Sequence, residues 1–221
     1  MVKEYLPQLN ALAEHYDALA KEHGYSHHAV QQSSHDSQMR RFKVLLEGFS
    51  QIKGMKILDF GCGAGHLYAL LKELGFRGEY VGYDISQELL ELARKKHPDG
   101  RFEIRNIFEQ PPVETFDLVF ISGVFNNDMG QNPVFLQDTL QILFPLCQVG
   151  MAFNCLSTYV DFKAAGLFYF DPCSVFDFCK QHLTPNVVLR HDYEIKEGVI
   201  PFEFSCYLKT SVHSPRKNNH V

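Results

Sequence analysis

The segment from Lys56 to His66, KILDFGCGAGH, has the pattern of a buried strand that turns sharply into a helix. The apolar strand carries Asp59 at its carboxyl end. Glycines then follow at alternate positions: Gly61, Gly63 and Gly65. Side chains at these positions would keep a nucleotide-like ligand away from the backbone, and such a turn often requires a positive φ angle. The segment therefore predicts a ligand-binding loop.

The residues around this loop indicate which ligand it binds. A second strand ends at Asp84, about 20 residues further on, where a ribose-binding carboxylate is expected. In a dinucleotide-binding loop the third glycine comes three positions after the second, but here that position is His66. Asp59 would repel a pyrophosphate and suits a ligand that carries an ammonium group and a sulfonium. We therefore expect neither NAD nor FAD, and a nicotinamide-dependent oxidoreductase is the weakest alternative.

An acidic residue followed by G-x-G-x-G resembles the first motif of the class I methyltransferases that use S-adenosylmethionine. The resemblance runs from about Met55 to Leu156, and more loosely through the C-terminal hairpin. It implies an enzyme that binds S-adenosyl-L-methionine and moves its methyl group to an O or N atom of a small molecule by in-line displacement. The alternative is a non-catalytic regulatory or partner subunit of the same fold that binds the same cofactor.

The resemblance also implies roles for individual residues at the ends of the predicted strands. Asp59 would order the methionine ammonium, directly or through water, the three glycines would let the backbone approach the cofactor, and Asp84 would accept both ribose hydroxyls. The remaining predicted contacts are Ile85 on the adenine face, Asn106 and Ile107 after the third strand, Ser122 after the fourth strand, and Arg41 at the cofactor carboxylate. The structural alternatives are a capping carboxylate for Asp59, a helix cap for Asp84 and a surface arginine for Arg41.

Asn106 stands where the family often has an aspartate that accepts from the adenine amino group, and its carbonyl oxygen can do the same. Asn126 to Met129, NNDM, differs from the Asn-Pro-Pro-Tyr of relatives that methylate nucleobases and glutamine amides, which disfavours those substrates.

Strand and helix patterns alternate from Met55 onward, which is the signature of an α/β fold. We predict a doubly wound, Rossmann-like sheet of seven strands, mostly parallel with an antiparallel C-terminal strand. The strands are placed at 55–60, 79–84, 102–106, 116–122, 149–156, 186–195 and 201–210. The last two should be antiparallel neighbours, because the link between them is too short for a parallel crossover.

The sequence predicts a helical lid over residues 1–54, a methyltransferase domain over 55–210 and a disordered tail over 211–221. Two amphipathic helices, at 1–22 and 37–49, flank a polar connection in the lid. Tyr16 and Tyr25 would present ring faces to the sulfonium. The alternative is that these helices merely cover an edge of the sheet.

Composition limits the partners. The net charge of −5 provides no positive field for nucleic acid, so a small-molecule methyl acceptor is expected instead. No stretch reads as a signal peptide or a membrane span, which predicts a cytoplasmic protein without membrane contact. Six cysteines without a C-x-x-C pair make disulfides and a metal site improbable. No oligomeric state is predicted.

The sequence indicates fewer residues for the methyl-acceptor side of the site than for the cofactor side. A general base would be needed for a hydroxyl acceptor, and the candidates, His27, His28, His35 and Asp128, have the pattern of solvated loop residues. No catalytic residue is therefore predicted. An acceptor pocket is expected between the N-terminal helices and residues 157–171, with an aromatic wall of Tyr159, Phe162, Phe168, Tyr169 and Phe170.

Overall fold

The computed structural model describes residues 5–210, which form one mixed sheet with helices on both faces. The strands are β1 Ile57–Phe60, β2 Tyr80–Asp84, β3 Arg101–Ile104, β4 Phe116–Ile121, β5 Cys147–Leu156, β6 Val187–Arg190 and β7 Glu203–Lys209. The helices are α1 Leu6–His23, α2 His35–Leu46, α3 His66–Glu73, α4 Gln87–Lys96, α5 Asn132–Leu143 and α6 Pro172–His182. Short 3-10 turns cover His27–Val30 and Phe144–Leu146.

The order of strands across the sheet is β3-β2-β1-β4-β5-β7-β6. Strands β1 to β5 pair in parallel, and β7 runs antiparallel to both of its neighbours, β5 and β6. The predicted sheet of seven strands, mostly parallel with an antiparallel C-terminal strand, is confirmed. Strand order reverses between β1 and β4, and ligands of open α/β sheets bind at the carboxyl ends of the strands near such a point.

The last hairpin is shorter than predicted. Strand β6 ends at Arg190, and the chain then leaves the sheet so that Tyr193 and Ile195 pack against Val44 of α2. The hydroxyl of Tyr193 lies 2.7 Å from the Oγ atom of Ser205 on β7. Burial of these two side chains between α2 and the sheet accounts for the early end of the strand.

The N-terminal helices contact the sheet domain at defined points. Helix α2 is capped by Ser34, and its Phe42 and Leu45 pack into the apolar cluster on one face of the sheet. Asp17 of α1 accepts hydrogen bonds from the Ser86 hydroxyl, at 2.5 Å, and from the backbone N–H of Glu88, at 3.1 Å. The predicted loop over 23–37 contains the 3-10 turn, which the sequence pattern did not indicate.

The predicted tail, residues 211–221, lies outside the described residues. Between residues 5 and 210, no helix is long and apolar enough to cross a membrane. In the same part of the chain, no group of three or more His, Cys, Asp or Glu side chains is placed to hold a metal ion.

Candidate functional site

A cavity opens at the carboxyl ends of β1, β2 and β4, and the N-terminal segment covers it. Its empty space, including the open mouth, is about 980 Å³, within the upper range of small-molecule sites. Eight of the ten predicted site residues line it: Asp59, Gly61, Gly63, Asp84, Ile85, Asn106, Ile107 and Ser122. The fold therefore brings the predicted strand-end residues together around one space.

The glycine loop is shaped by close approach of the chain to its neighbours. A Cβ atom on Gly61 would lie 2.3 Å from Cγ2 of Val124, and one on Gly63 would lie 2.8 Å from Cγ1 of Val30. Gly65 is different, because it caps α3 with a φ angle of 82° and does not line the cavity. Its predicted contact with the cofactor is replaced by a role in the turn itself.

The orientation of Asp84 is fixed by backbone donors. One oxygen accepts from the N–H of Gly63 at 2.7 Å and the other from the N–H of Ser86 at 2.9 Å. The cap of α4 is Ser86, whose hydroxyl accepts from the N–H of Leu89, so Asp84 is not the helix cap. Burial raises the pKa of Asp84, and the backbone hydrogen bonds oppose that shift. Each carboxylate oxygen keeps a lone pair for a further hydrogen bond.

Asp59 is buried and accepts a hydrogen bond from the hydroxyl of Tyr80 at 2.7 Å. Burial raises the pKa of Asp59 to about 7, with a further contribution from the negative charge of Asp84, while the Tyr80 hydrogen bond works in the opposite direction. A cation in the cavity would favour the ionised form of Asp59 and lower this pKa.

The loop after β3 supplies one polar and two apolar groups to the wall. The Oδ1 atom of Asn106 accepts from the N–H of Phe108 at 3.1 Å and keeps a second lone pair. Arg105 also lines the cavity. Its guanidinium lies 4.8 Å from the ring centroid of Tyr83 and donates to Glu103 at 2.8 Å.

Arg41 has a different partner from the predicted one. Its Nε atom donates to Glu203 at 2.7 Å, its Nη1 atom donates to Gln32 at 2.7 Å, and Arg41 is not part of the cavity wall. The sequence could not show this, because Glu203 is 162 positions further along the chain. The predicted pairing of Arg41 with a cofactor carboxylate is therefore not carried further.

The N-terminal segment provides a large part of the cavity wall that sequence reasoning did not assign. Tyr16, which was predicted near the sulfonium, lines the cavity, and its hydroxyl accepts from Asn127 at 2.9 Å. Tyr25 does not line the cavity, because its ring stacks on His66 at 4.5 Å. The wall residues that were missed are Leu9, Leu12, Val30, Gln32, Gln38 and Phe42. The sequence shows the apolar periodicity of the helices, but it does not show which part of the protein each helix face contacts.

The predicted aromatic wall does not line this cavity. Phe168 and Phe170 pack in the main apolar core, while Tyr159 and Phe162 are 60% and 77% exposed. The general-base candidates are also absent from the wall: His27, His28, His35 and Asp128. The part of the cavity wall beyond the predicted residues includes the N-terminal segment, the loop at 122–124 and Phe135.

Comparison with known proteins agrees with this geometry. A family model described as a methyltransferase domain matches residues 51–159. The Mycobacterium tuberculosis protein Rv1506c, whose name describes it as a methyltransferase, is 33% identical over 150 residues, which cover 65% of this chain and 90% of that protein. The chain belongs to the class I S-adenosylmethionine-dependent methyltransferases. The resemblance found in the glycine loop is thereby confirmed, and with it the assignment as an S-adenosylmethionine-dependent methyltransferase enzyme.

Other relatives of this methyltransferase show how far the likeness extends. The crystal structure of magnesium protoporphyrin IX methyltransferase from Synechocystis, solved with bound S-adenosylmethionine, aligns over 96% of this chain and 99% of that one. Its TM-score is 0.66 at 12% identity, so the likeness concerns the fold. Trans-aconitate 2-methyltransferase from Afipia carboxidovorans is 29% identical over 90 residues, which cover 41% of this chain and 35% of that protein. The chain thus spans about a third of the length of that relative.

Proposed function

We propose that this methyltransferase transfers the methyl group of S-adenosylmethionine to an O or N atom of a small-molecule acceptor. The observation that carries the proposal is that one continuous cavity extends from Asp84 to the loop at 122–124 and is covered by α1 and α2. A covered space of this kind suits a small molecule in contact with a bound nucleoside. The net charge of −5 also disfavours a nucleic acid acceptor.

The residues present fit this cofactor. Asp84 would accept the ribose hydroxyls, and Gly61 and Gly63 line the cavity with backbone atoms only, with the side chains of Val124 and Val30 packed against them. Asn106 would accept from the adenine amino group, and Asp59 would face the ammonium group. The apolar contacts to adenine would come from Ile85 and Ile107, with Ser122 at the acceptor end. When bound, S-adenosylmethionine supplies a methyl group on a sulfonium, which is a good leaving group.

The contribution of the chain is to position the reactants and exclude water. In-line methyl transfer requires the reacting atoms to be close together and aligned. The sulfonium loses its positive charge when the methyl group leaves, and a largely apolar cavity favours this loss of charge. No residue of the wall is assigned as a general base. We also keep a cytoplasmic location as part of this proposal, since the six cysteines are free thiols.

Isothermal titration calorimetry tests the cofactor assignment. S-adenosylhomocysteine, the demethylated product, should bind the purified protein with micromolar or tighter affinity, whereas NAD should give no heat of binding. The expected difference follows from the positions of the glycines and from Asp59. Binding of NAD at micromolar concentration without any heat from S-adenosylhomocysteine would contradict the proposal.

The affinity for S-adenosylhomocysteine should rise as the pH increases towards about 7, the pKa of buried Asp59. The ammonium group of the ligand favours ionised Asp59, so binding below that pH should release a proton. Calorimetry at pH 6 in two buffers with different ionisation enthalpies measures this release. In the same buffers, the Asp59→Asn variant should bind more weakly and release no proton.

The stability of the ligand-free protein should fall as the pH increases, in contrast to the affinity for S-adenosylhomocysteine, which should rise. Since the pKa of Asp59 in the folded state is raised above its ordinary value of 3.8, the folded protein holds the proton more tightly than the unfolded chain. This contribution to stability is fully present below about pH 4 and is lost as the pH rises through about 7. A melting temperature of the wild type that does not fall relative to Asp59→Asn over this range would contradict the assignment.

We further propose that residues 1–54 act as a lid over the cofactor and shape the acceptor end of the cavity. The support is that Leu9, Tyr16 and Phe42 lie in the cavity wall, while the connection between the helices is largely polar. S-adenosylhomocysteine should therefore slow amide hydrogen exchange in residues 16–45 as well as in 61–65. Protection limited to the glycine loop and Asp84 would identify the N-terminal helices as fixed packing elements.

A further inference from the structure

A chain of buried polar groups reaches the cavity wall at both of its ends. The side chains of Arg41 and Glu203 form an ion pair and are only 9% and 1% exposed. Glu203 also accepts from the amide of Asn154 at 2.9 Å, and Asn154 accepts from the N–H of Gly123 at 2.8 Å. At the other end, Arg41 donates to the Oε1 atom of Gln32. Gly123 and Gln32 both line the cavity.

This arrangement fixes which end of the Gln32 amide is available. Because Oε1 is engaged by Arg41 at 2.7 Å, the Nε2 atom is left as a donor. Nε2 lies 3.6 Å from the position that a Cβ atom on Gly123 would take, so it lies over the loop that follows β4. The preceding residue, Gln31, has a φ angle of 54°, the left-handed conformation that turns the chain at this point.

A second amide stands on the same wall. Gln38 of α2 is 4% exposed and lines the cavity, and its Oε1 atom has no hydrogen-bond partner among the described residues. A buried polar atom without a partner destabilises the fold, so such groups in native proteins usually hydrogen-bond to a ligand or to water. The wall therefore offers both donor and acceptor capacity.

The charges of the wall limit the acceptor further. Its charged residues are Asp59, Asp84 and Arg105, and the first two belong to the proposed cofactor site. Arg105 follows β3, beside Asn106, and pairs with Glu103 at 2.8 Å. Arg41, the cation behind Gln32, is neutralised by Glu203. Arg105 has a buried Nε atom without a partner among the described residues, so it is the wall cation that an acidic acceptor could meet. Beside Gln32, by contrast, a carboxylate or phosphate would face a guanidinium that Glu203 already neutralises.

We propose that Gln32 and Gln38 recognise the methyl acceptor through a neutral group that both donates and accepts hydrogen bonds, such as a hydroxyl or a primary amide. This inference rests on the proposed function. The body of the acceptor is apolar, because the same wall contains the apolar side chains of Leu9, Leu12, Phe42, Val124 and Phe135. The neutralised guanidinium behind Gln32 disfavours an acid such as the trans-aconitate named for one relative.

The test uses protein saturated with S-adenosylhomocysteine and two probes with the same carbon skeleton, 3-phenylpropan-1-ol and 3-phenylpropanoate. Ligand-observed NMR titration should show that the alcohol binds at least about tenfold more tightly than the carboxylate. Gln32→Met and Gln38→Met should each weaken alcohol binding by at least about fivefold, because methionine keeps the size and removes the hydrogen bonds. Gln141→Met, an exposed position on α5, is the control and should bind the alcohol as the wild type does.

Each outcome has a defined meaning. Equal or tighter binding of the carboxylate, no binding of the alcohol, or unchanged alcohol binding in both glutamine variants overturns the inference. All variants should keep the calorimetric affinity for S-adenosylhomocysteine, which also shows that they are folded. Failure of the wild type to bind S-adenosylhomocysteine would instead overturn the proposed function.

Discussion

Replacement of Glu203 by Leu should lower the free energy of unfolding by about 3–5 kcal/mol, since it leaves the buried guanidinium of Arg41 without its counter-charge. The pair is buried on both sides, with Nε and Oε2 2.7 Å apart. The Asn154 amide, which donates to Glu203 at 2.9 Å, would lose its acceptor as well. Urea unfolding followed by circular dichroism measures the change.

The double variant Arg41→Leu with Glu203→Leu distinguishes the cost of leaving one charge unpaired from the cost of losing the other contacts of these side chains. It should be more stable than Glu203→Leu alone, because it buries no uncompensated charge. Asp99→Asn is a matched control, since it breaks the exposed pair with Lys72 and should cost less than about 1 kcal/mol. Strictly additive losses in the double variant, or a loss below 1 kcal/mol in Glu203→Leu, would contradict this account.

An apolar pair could stabilise the fold as well as this buried ion pair does. The role of the Arg41–Glu203 pair therefore follows from the groups that it holds in position. Arg41 holds the amide of Gln32, and Glu203 holds Asn154 against the N–H of Gly123. Both ends of this chain line the cavity, so the pair relates the N-terminal segment to the loop that follows β4.

The fold, and the gathering of the strand-end residues around one cavity, could be predicted from the sequence because both depend on local pattern. Alternating strands and helices specify a parallel sheet, and the carboxyl ends of its strands lie at one edge. Asp59, Asp84, Asn106 and Ser122 were chosen by that rule together with the family resemblance, and all four line the cavity.

The part of the cavity wall that the N-terminal segment forms could not be predicted residue by residue, because it depends on contacts between distant segments. The partner of Arg41 lies 162 residues away, and no periodicity indicates it. The aromatic residues after β5 look alike in the sequence, yet packing buries Phe170 in the core and leaves Phe162 exposed. Gly65 followed the glycine pattern but serves the turn into α3, where a Cβ atom would lie 3.1 Å from His97 and Phe102.

Replacement of Asp84 by Ala should weaken binding of S-adenosylhomocysteine by about 2–4 kcal/mol, because two charge-assisted hydrogen bonds to the ribose are lost from a buried site. The carboxylate is already oriented by the N–H groups of Gly63 and Ser86, so the ligand does not have to order it. The effect on stability should be smaller. The variant exposes two backbone donors but removes a carboxyl group whose burial raises its pKa.

Two further variants decide whether the loss arises from the ribose contact or from a disturbed turn. Ser86→Ala removes the cap of α4 and the hydrogen bond to Asp17 of α1, so it should cost at least about 1 kcal/mol of stability, but it keeps the N–H that orients Asp84 and should weaken ligand binding far less than Asp84→Ala does. Asp84→Asn keeps the size of the side chain, and its amide oxygen can accept from one of the two N–H groups, of Gly63 or of Ser86. Its amino group would then face the other N–H, a donor that it cannot satisfy. It should therefore bind almost as weakly as Asp84→Ala. Calorimetric affinity that is unaltered in both Asp84 variants would remove this residue from the cofactor site and leave it as a support for the glycine loop.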